Sequence, residues 1–181
     1  MRNIARLLLG FVMITSLLSS CNASKSLEVF IVDQQEKSDV ISLDLQPSML
    51  LAGDKIKDEE DKAIINSLKK LILIGYKVTD ETQDRYLSEL TEVRSILKQE
   101  KYEEFIRFGK GSRGVKIYIV GAEDKIDELI ILGNDHKIGW GLVRVLGQDM
   151  EPEKMAKVLK KLDLDKNDFN LSMFENLNIE L

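Results

Sequence analysis

The fold is decided by a stretch in the second half of the chain, in which apolar residues recur at every second position. It consists of residues 104–108 (EFIRF), 115–120 (VKIYIV), 126–132 (IDELIIL) and 138–146 (IGWGLVRVL). A period of two is typical of β-strands, whose successive side chains point to opposite faces. The segments between these runs are short and rich in Gly, Asn or Asp, as hairpin turns are. We therefore expect four consecutive strands in an antiparallel meander.

Two further strands and four helices are predicted around this meander. Residues 40–45 (VISLDL) alternate in the same way, and residues 71–78 (LILIGYKV) are nearly all apolar, which indicates a central strand covered on both faces. Residues 26–36 fit a short strand and a helix equally well, and we prefer the helix. Helical spacing favours three more helices, which begin near Asp58, Asp80 and Pro152.

The predicted order is helix, strand, helix, strand, helix, four strands, helix. Such a mixture is typical of an α+β domain. We expect two layers, with the helices packed on one face of a largely antiparallel sheet. Residues 27–162 would form this single domain, whereas the tail from residue 163 to residue 181 shows no clear period.

Composition excludes several classes of function. The chain has 181 residues, with 26 Lys and Arg against 31 Asp and Glu, and its formal charge is −5. An acidic chain without a basic run disfavours nucleic acid binding. One Cys and one His cannot build a His/Cys metal site, which needs about four such ligands. We therefore predict no metal and no cofactor.

The N-terminus has the pattern of a bacterial lipoprotein signal. Two arginines precede an apolar run of eight residues, and the run is followed by Leu18-Ser19-Ser20-Cys21. These four residues resemble a lipobox, whose Cys is acylated after cleavage, and Cys21 is the only Cys of the chain. Residues 1–20 would be the signal peptide and residues 21–26 a lipidated leader. The alternative is an ordinary secreted protein with an incidental thiol.

The same N-terminal segment predicts where in the cell the protein lies. The apolar run is well short of the roughly 20 residues that a membrane-spanning helix needs. Asn22 is not the Asp that resembles an inner-membrane retention signal, and no acidic run follows Cys21. We expect a lipid-anchored protein on the periplasmic face of the outer membrane.

Four motifs resemble functional sites but favour structural roles. Residues 109–114 match G-x-G-x-x-G, yet a strand and not a helix follows them, so we predict a hairpin. Residues 163–167 resemble the start of an EF-hand loop, but Gly and Glu are missing at its required positions. His136 lies in a predicted turn, where a lone His is usually solvated, and the acids of residues 58–61 fit a helix start.

Two residues are candidates for a partner surface. Trp140 lies between two glycines, which would expose its indole on a strand, although a core Trp with a bonded N–H is the stronger alternative. Glu128 interrupts an apolar run. We expect it to lie at an edge or to face solvent, since a carboxylate facing the core would need a partner.

The chain also resembles a known family. The lipobox, the strands at residues 40–45 and 71–78, the hairpin entry at residues 113–118 and the run at residues 125–132 are similar to those of envelope lipoproteins catalogued as domain of unknown function 4252. The resemblance covers most of residues 26–162. It implies a small secreted, lipid-anchored domain without an established activity, and it carries over no functional residue.

Three functional hypotheses remain open. The first is a non-enzymatic envelope domain that binds a protein or another envelope component, with signalling as a further expectation. The second is an envelope hydrolase, for which Glu128 and Asp135 would supply the two carboxylates. The third is a structural homodimer through the edge of the meander, which Glu103 and Glu104 guard poorly.

Overall fold

A six-stranded antiparallel sheet forms the centre of the domain. The computed structural model describes residues 25–50, 58–122 and 124–155. The predicted signal peptide, Cys21, the EF-hand-like residues and the tail from residue 163 lie outside the described residues. The sheet order is β1-β2-β6-β5-β4-β3. The strands are β1 (Val40–Leu45), β2 (Leu68–Lys77), β3 (Glu103–Lys110), β4 (Arg113–Ala122), β5 (Lys125–Asp135) and β6 (Gly139–Met150).

The helices alternate with the first strands, as predicted. They are α1 (Leu27–Gln35), α2 (Pro47–Leu50), α3 (Glu59–Ser67) and α4 (Gln83–Ile96), and the chain is helical again over residues 152–155. A 3₁₀ turn, Asp80–Thr82, precedes α4. The acids of residues 58–61 do form a helix start, because Asp58 Oδ1 accepts a hydrogen bond from the backbone N–H of Glu60 at 2.8 Å.

The meander prediction is confirmed. Strands β3 to β6 pair consecutively and antiparallel, and β2 lies inside the sheet between β1 and β6. The glycine motif is the β3–β4 hairpin, in which Lys110 pairs with Arg113 across Gly111, whose φ is +65°. A Cβ at Gly109 would approach the carbonyl oxygen of Arg113 to 2.5 Å. The glycines therefore serve the turn.

Side chains of alternating strand positions build two apolar clusters, one on each face of the sheet. Helices α1 and α4 cover the first face, where Phe30 and Leu90 pack with Trp140. Ile64 of α3 packs against the second cluster, which also contains Met155. The α+β class is thus confirmed, but α3 lies on the second face, so the helices are not confined to one face as we predicted. The reason is that β2 carries apolar side chains on both of its faces.

Candidate functional site

A groove opens between the end of α4 and the β3–β4 hairpin, on the face that α1 and α4 cover. It encloses about 580 Å³. A smaller recess of about 140 Å³ at the hairpin tip continues it and shares Arg94, Arg107 and Lys116 with it. We call the two together the basic groove. The larger part is lined by Thr91, Arg94, Ser95, Leu97, Lys98, Tyr102, Glu104, Arg107, Lys116 and Tyr118.

Regular backbone geometry explains how these side chains meet. Lys116 and Tyr118 lie two residues apart on β4 and therefore point to the same face. Arg94 lies in the last turn of α4, and Lys98 follows two residues after the helix end, in a turn where its backbone N–H donates to the carbonyl oxygen of Ser95 at 3.3 Å. Arg107 pairs with Lys116 across the β3–β4 ladder, which brings a third cation to the groove.

Two carboxylates partly neutralise these cations. Glu104 Oε2 lies 2.8 Å from Lys116 Nζ, and Glu104 also bonds Arg107. The hydrogen bond from Lys116 lowers the pKa of Glu104, so this carboxylate is charged at neutral pH. Asp135 Oδ2 lies 3.3 Å from Arg113 Nε at the hairpin tip. Each of the two carboxylates therefore holds at least one cation in place.

The remaining cations of the basic groove are Arg94, Lys98 and Lys110. Arg94 donates to the amide oxygen of Asn134 at 2.8 Å, a neutral acceptor. Within the described residues, no carboxylate pairs with Arg94, Lys98 or Lys110. The groove combines six cations with two carboxylates, a local excess of four positive charges in a chain of formal charge −5. The six cations are Arg94, Lys98, Arg107, Lys110, Arg113 and Lys116.

The floor of the basic groove is apolar and aromatic. Leu97, Tyr102 and Tyr118 are almost fully buried and belong to the first core cluster. Burial raises the pKa of both tyrosines, so their rings remain neutral. The hydroxyl of Ser95 adds an uncharged donor at the wall, whereas the hydroxyl of Thr91 donates to the carbonyl oxygen of Leu87 at 2.7 Å. An anion with a flat or apolar part fits this combination, since guanidinium and ammonium groups bind phosphate and carboxylate oxygens.

The two residues that we singled out for a partner surface lie inside the domain. Trp140 has no exposed surface, and its indole N–H donates to Glu89 Oε2 at 3.2 Å. This is the core position that the sequence favoured, and Trp140 therefore offers no surface to a partner. Glu128 is 8% exposed and is bonded by Arg144 at 2.8 and 3.0 Å. It faces the core with a partner, whereas we expected an edge or solvent.

The carboxylate pair of the hydrolase hypothesis is not brought together. Glu128 and Asp135 lie seven residues apart on β5, and the strand is regularly paired between them. An odd separation places the two side chains on opposite faces of the sheet, about 23 Å apart along the strand. An acid and a base that act on one glycosidic bond must lie within about 10 Å of each other. These two residues cannot act together.

Two of the other sequence motifs, the glycine hairpin and the acids of residues 58–61, have the structural roles given above. His136 lies in the β5–β6 turn with its side chain 48% exposed, and its Nδ1 is 3.8 Å from Asp135 Oδ1. Among residues 25–50, 58–122 and 124–155, no group of three or more His, Cys, Asp or Glu side chains is arranged to hold a metal ion. No helix in the described part of the chain is long and apolar enough to span a bilayer.

The sheet has the free edge that the homodimer hypothesis requires. Strand β3 ends the sheet, Glu103 and Glu104 lie at its start, and Phe105 is 42% exposed. A dimer through this strand stays a prediction.

The basic groove was not predicted from the sequence, which indicated only a hairpin at residues 109–114. The signal in the sequence was the surplus of Lys and Arg over Glu between residues 94 and 116. Only the packing of α4 beside the hairpin shows that these cations converge.

No curated protein and no solved structure shows significant similarity to the chain. The model of the domain of unknown function (DUF4252) matches residues 33–158, which span all six strands of the sheet and helices α2 to α4. The resemblance predicted from the strand patterns is confirmed, and the chain belongs to the DUF4252 family.

Proposed function

We propose that this protein is a lipid-anchored, non-enzymatic binding domain of the bacterial envelope that takes an anionic ligand in the basic groove. The observation that carries the proposal is the local excess of four positive charges in an acidic chain. Like charges that lie close together repel one another and destabilise the folded state. An arrangement of this kind favours a role in binding over a role in stability.

The chemistry of the groove supports the choice of ligand. Lys98 and Lys110 are exposed and contribute to no cluster of the core, so the fold does not require them. Arg94 is fixed by its bond to Asn134, and Arg107 and Lys116 are held by Glu104, so their positions are set before a ligand arrives. Fixed cations lower the entropic cost of binding.

The anchor is supported by the sequence of the first 21 residues. The basic start, the short apolar run and the lipobox that ends at Cys21 favour acylation at this residue. Two or three acyl chains would hold the domain on a membrane stably, since one chain alone binds with only about 10⁴ M⁻¹. We place the protein on the periplasmic face of the outer membrane.

Titration with tripolyphosphate tests the binding proposal. We expect the full chain, purified from membranes in detergent, to bind this linear anion with an affinity that falls as salt rises. The double variant Lys98→Glu/Arg107→Gln should weaken binding at least tenfold. A matched control is Lys69→Glu/Lys77→Gln, which changes the formal charge equally at two exposed lysines of β2. Absence of binding, or an equal loss in both variants, would refute the groove as the site.

Intact mass tests the anchor. Wild-type protein from bacterial membranes should show cleavage before Cys21 and the added mass of acyl chains, and a Cys21→Ser variant should show neither. An unacylated wild-type chain would contradict the anchor without affecting the result of the titration.

A further inference from the structure

Strand β1 forms one of the two edges of the sheet. It is the first strand in the sheet order, and within the described residues it pairs with β2 alone. The backbone N–H and C=O groups on its outer side are therefore available to another strand. Its side chains are accessible as well, because the four central residues, 41–44, are all exposed.

Exposed apolar side chains are concentrated near this edge. Seven large apolar side chains of the described residues are exposed, and five of them lie between residues 29 and 49. Ile41 and Leu43, which are 47% and 37% exposed, share the second face with Leu45, since side chains alternate along a strand. The five are Val29, Val32, Ile41, Leu43 and Met49. An exposed apolar patch of this kind marks an interaction surface.

Strand β1 lacks the features by which natural edge strands avoid other strands. Its sequence, VISLDL, contains no Lys, Arg or Pro, and its register with β2 runs without a bulge over Val40–Leu45. The opposite edge differs, because β3 carries Arg107 and Lys110 and has a bulge between Glu104 and Ile106. β1 is therefore the less protected of the two edges.

The carboxylates at this edge are already paired with cations. Asp44 Oδ2 lies 2.7 Å from Lys70 Nζ on β2. Asp39, just before β1, is bonded by Arg85, and this hydrogen bond lowers the pKa of Asp39, so the pair is charged at neutral pH. A strand that approaches β1 therefore meets no carboxylate without a cation beside it.

The sequence of β1 is complementary to itself in the antiparallel direction. When Ser42 lies opposite Ser42 of a second copy, Ile41 lies opposite Leu43 of that copy on the second face. The same register places the two Asp44 residues four positions apart, or about 13 Å along the strand, where salt screens their repulsion. Apolar side chains thus meet apolar side chains, and like charges stay apart.

We propose that two copies of this chain associate through antiparallel pairing of β1 with β1, across a twofold axis at Ser42. This pairing joins the two six-stranded sheets into one continuous sheet with a closed, symmetric interface. It differs from the homodimer hypothesis above, which uses β3. The basic groove lies beside β3 and β4, at the opposite edge, so the dimer leaves the groove open.

Light scattering tests the proposal with the full chain, purified from membranes in detergent. At about 100 μM we expect twice the mass of one chain after subtraction of bound detergent. Ile41→Lys/Leu43→Lys sets lysines opposite each other and should weaken self-association at least tenfold, without a loss of Tm because both positions are exposed. The matched control Val29→Lys/Leu87→Lys replaces two half-exposed apolar side chains on α1 and α4, and it should keep the dimer.

Disulfide cross-linking locates the contact. Cys21→Ser removes the only native thiol of the full chain, and Ser42→Cys then sets one thiol opposite its copy, close enough for a disulfide on mild oxidation. Ser38→Cys is the control, since this exposed residue lies eight positions from its copy in the same register. We expect at least fivefold more covalent dimer from Ser42→Cys than from Ser38→Cys.

Three results would overturn the proposal. The first is a monomer at about 100 μM, which would leave the β1 edge to a different partner. The second is a dimer that persists in Ile41→Lys/Leu43→Lys. The third is more covalent dimer from Phe105→Cys on β3 than from Ser42→Cys, because the contact would then use the other edge.

Discussion

Removal of the Arg144 guanidinium should destabilise the domain strongly. Arg144 lies on β6 and is 4% exposed. It bonds both oxygens of Glu128, at 2.8 and 3.0 Å, and also bonds Glu28 at the start of α1. In Arg144→Met, the apolar chain remains but Glu128 becomes a buried carboxylate without a cation.

The size of the effect follows from the burial of the two carboxylates. The side chain of Glu128 is 10% exposed, so loss of its partner should cost about 3–5 kcal/mol in the free energy of unfolding. The side chain of Glu28 is 53% exposed, and water replaces most of what it loses. With about 2–4 °C per kcal/mol for a chain of this size, Tm should fall by roughly 10 °C.

Urea unfolding, followed by the fluorescence of Trp140, measures this change. Trp140 is the only Trp of the chain and is fully buried, so unfolding changes its environment. Arg144→Met/Glu128→Leu removes both charges and should regain most of the stability. Arg107→Met breaks an exposed pair and should cost less than about 1 kcal/mol. A loss in Arg144→Met as small as in Arg107→Met would refute the reasoning, and so would a double variant no more stable than the single one.

The remaining predictions concern pH and backbone. Burial would raise the pKa of Glu28, but the hydrogen bond and charge of Arg144 outweigh it and hold this pKa at about 2. The pair therefore stabilises the fold above the ordinary Glu pKa, and urea midpoints should fall as pH drops from about 4.5 towards 2, with a smaller change in Glu28→Gln. Gly139→Ala should cost well over 1 kcal/mol, because φ is +139° and a Cβ would lie 1.8 Å from the carbonyl oxygen of Tyr76. Gly75→Ala on β2, where a Cβ meets nothing within 4 Å, should be close to neutral when both variants are unfolded in urea. Equal effects of the two substitutions would contradict this explanation.

Local sequence was sufficient for the strands and helices. Alternation within residues 104–108, 115–120, 126–132 and 138–146 determines which faces their side chains occupy, and glycines between the runs allow the tight turns. The meander follows, because consecutive strands with short connections can pair only as antiparallel neighbours. The acids after Asp58 marked a helix start for a reason that is local as well, the dipole of the first turn.

Local sequence could not predict whether a single residue inside an apolar run, such as Glu128 or Trp140, faces the core or solvent. The position of Glu128 depends on Arg144, sixteen residues away, and that of Trp140 depends on Glu89, fifty-one residues away. A partner across the sheet makes burial of a carboxylate or an indole N–H tolerable, and one sequence without its fold does not show which distant residue that partner is.

The sequence by itself determined the antiparallel meander, the α+β class and the membership of the family, because these depend on periodicity and on turns of a few residues. Only the tertiary structure decided that β2 pairs with β6, that α3 covers the second face and that cations from α4 and the β3–β4 hairpin line one groove. Charges act through space and not along the chain, so the local positive field of an acidic protein emerges only when the helix and the hairpin are packed together.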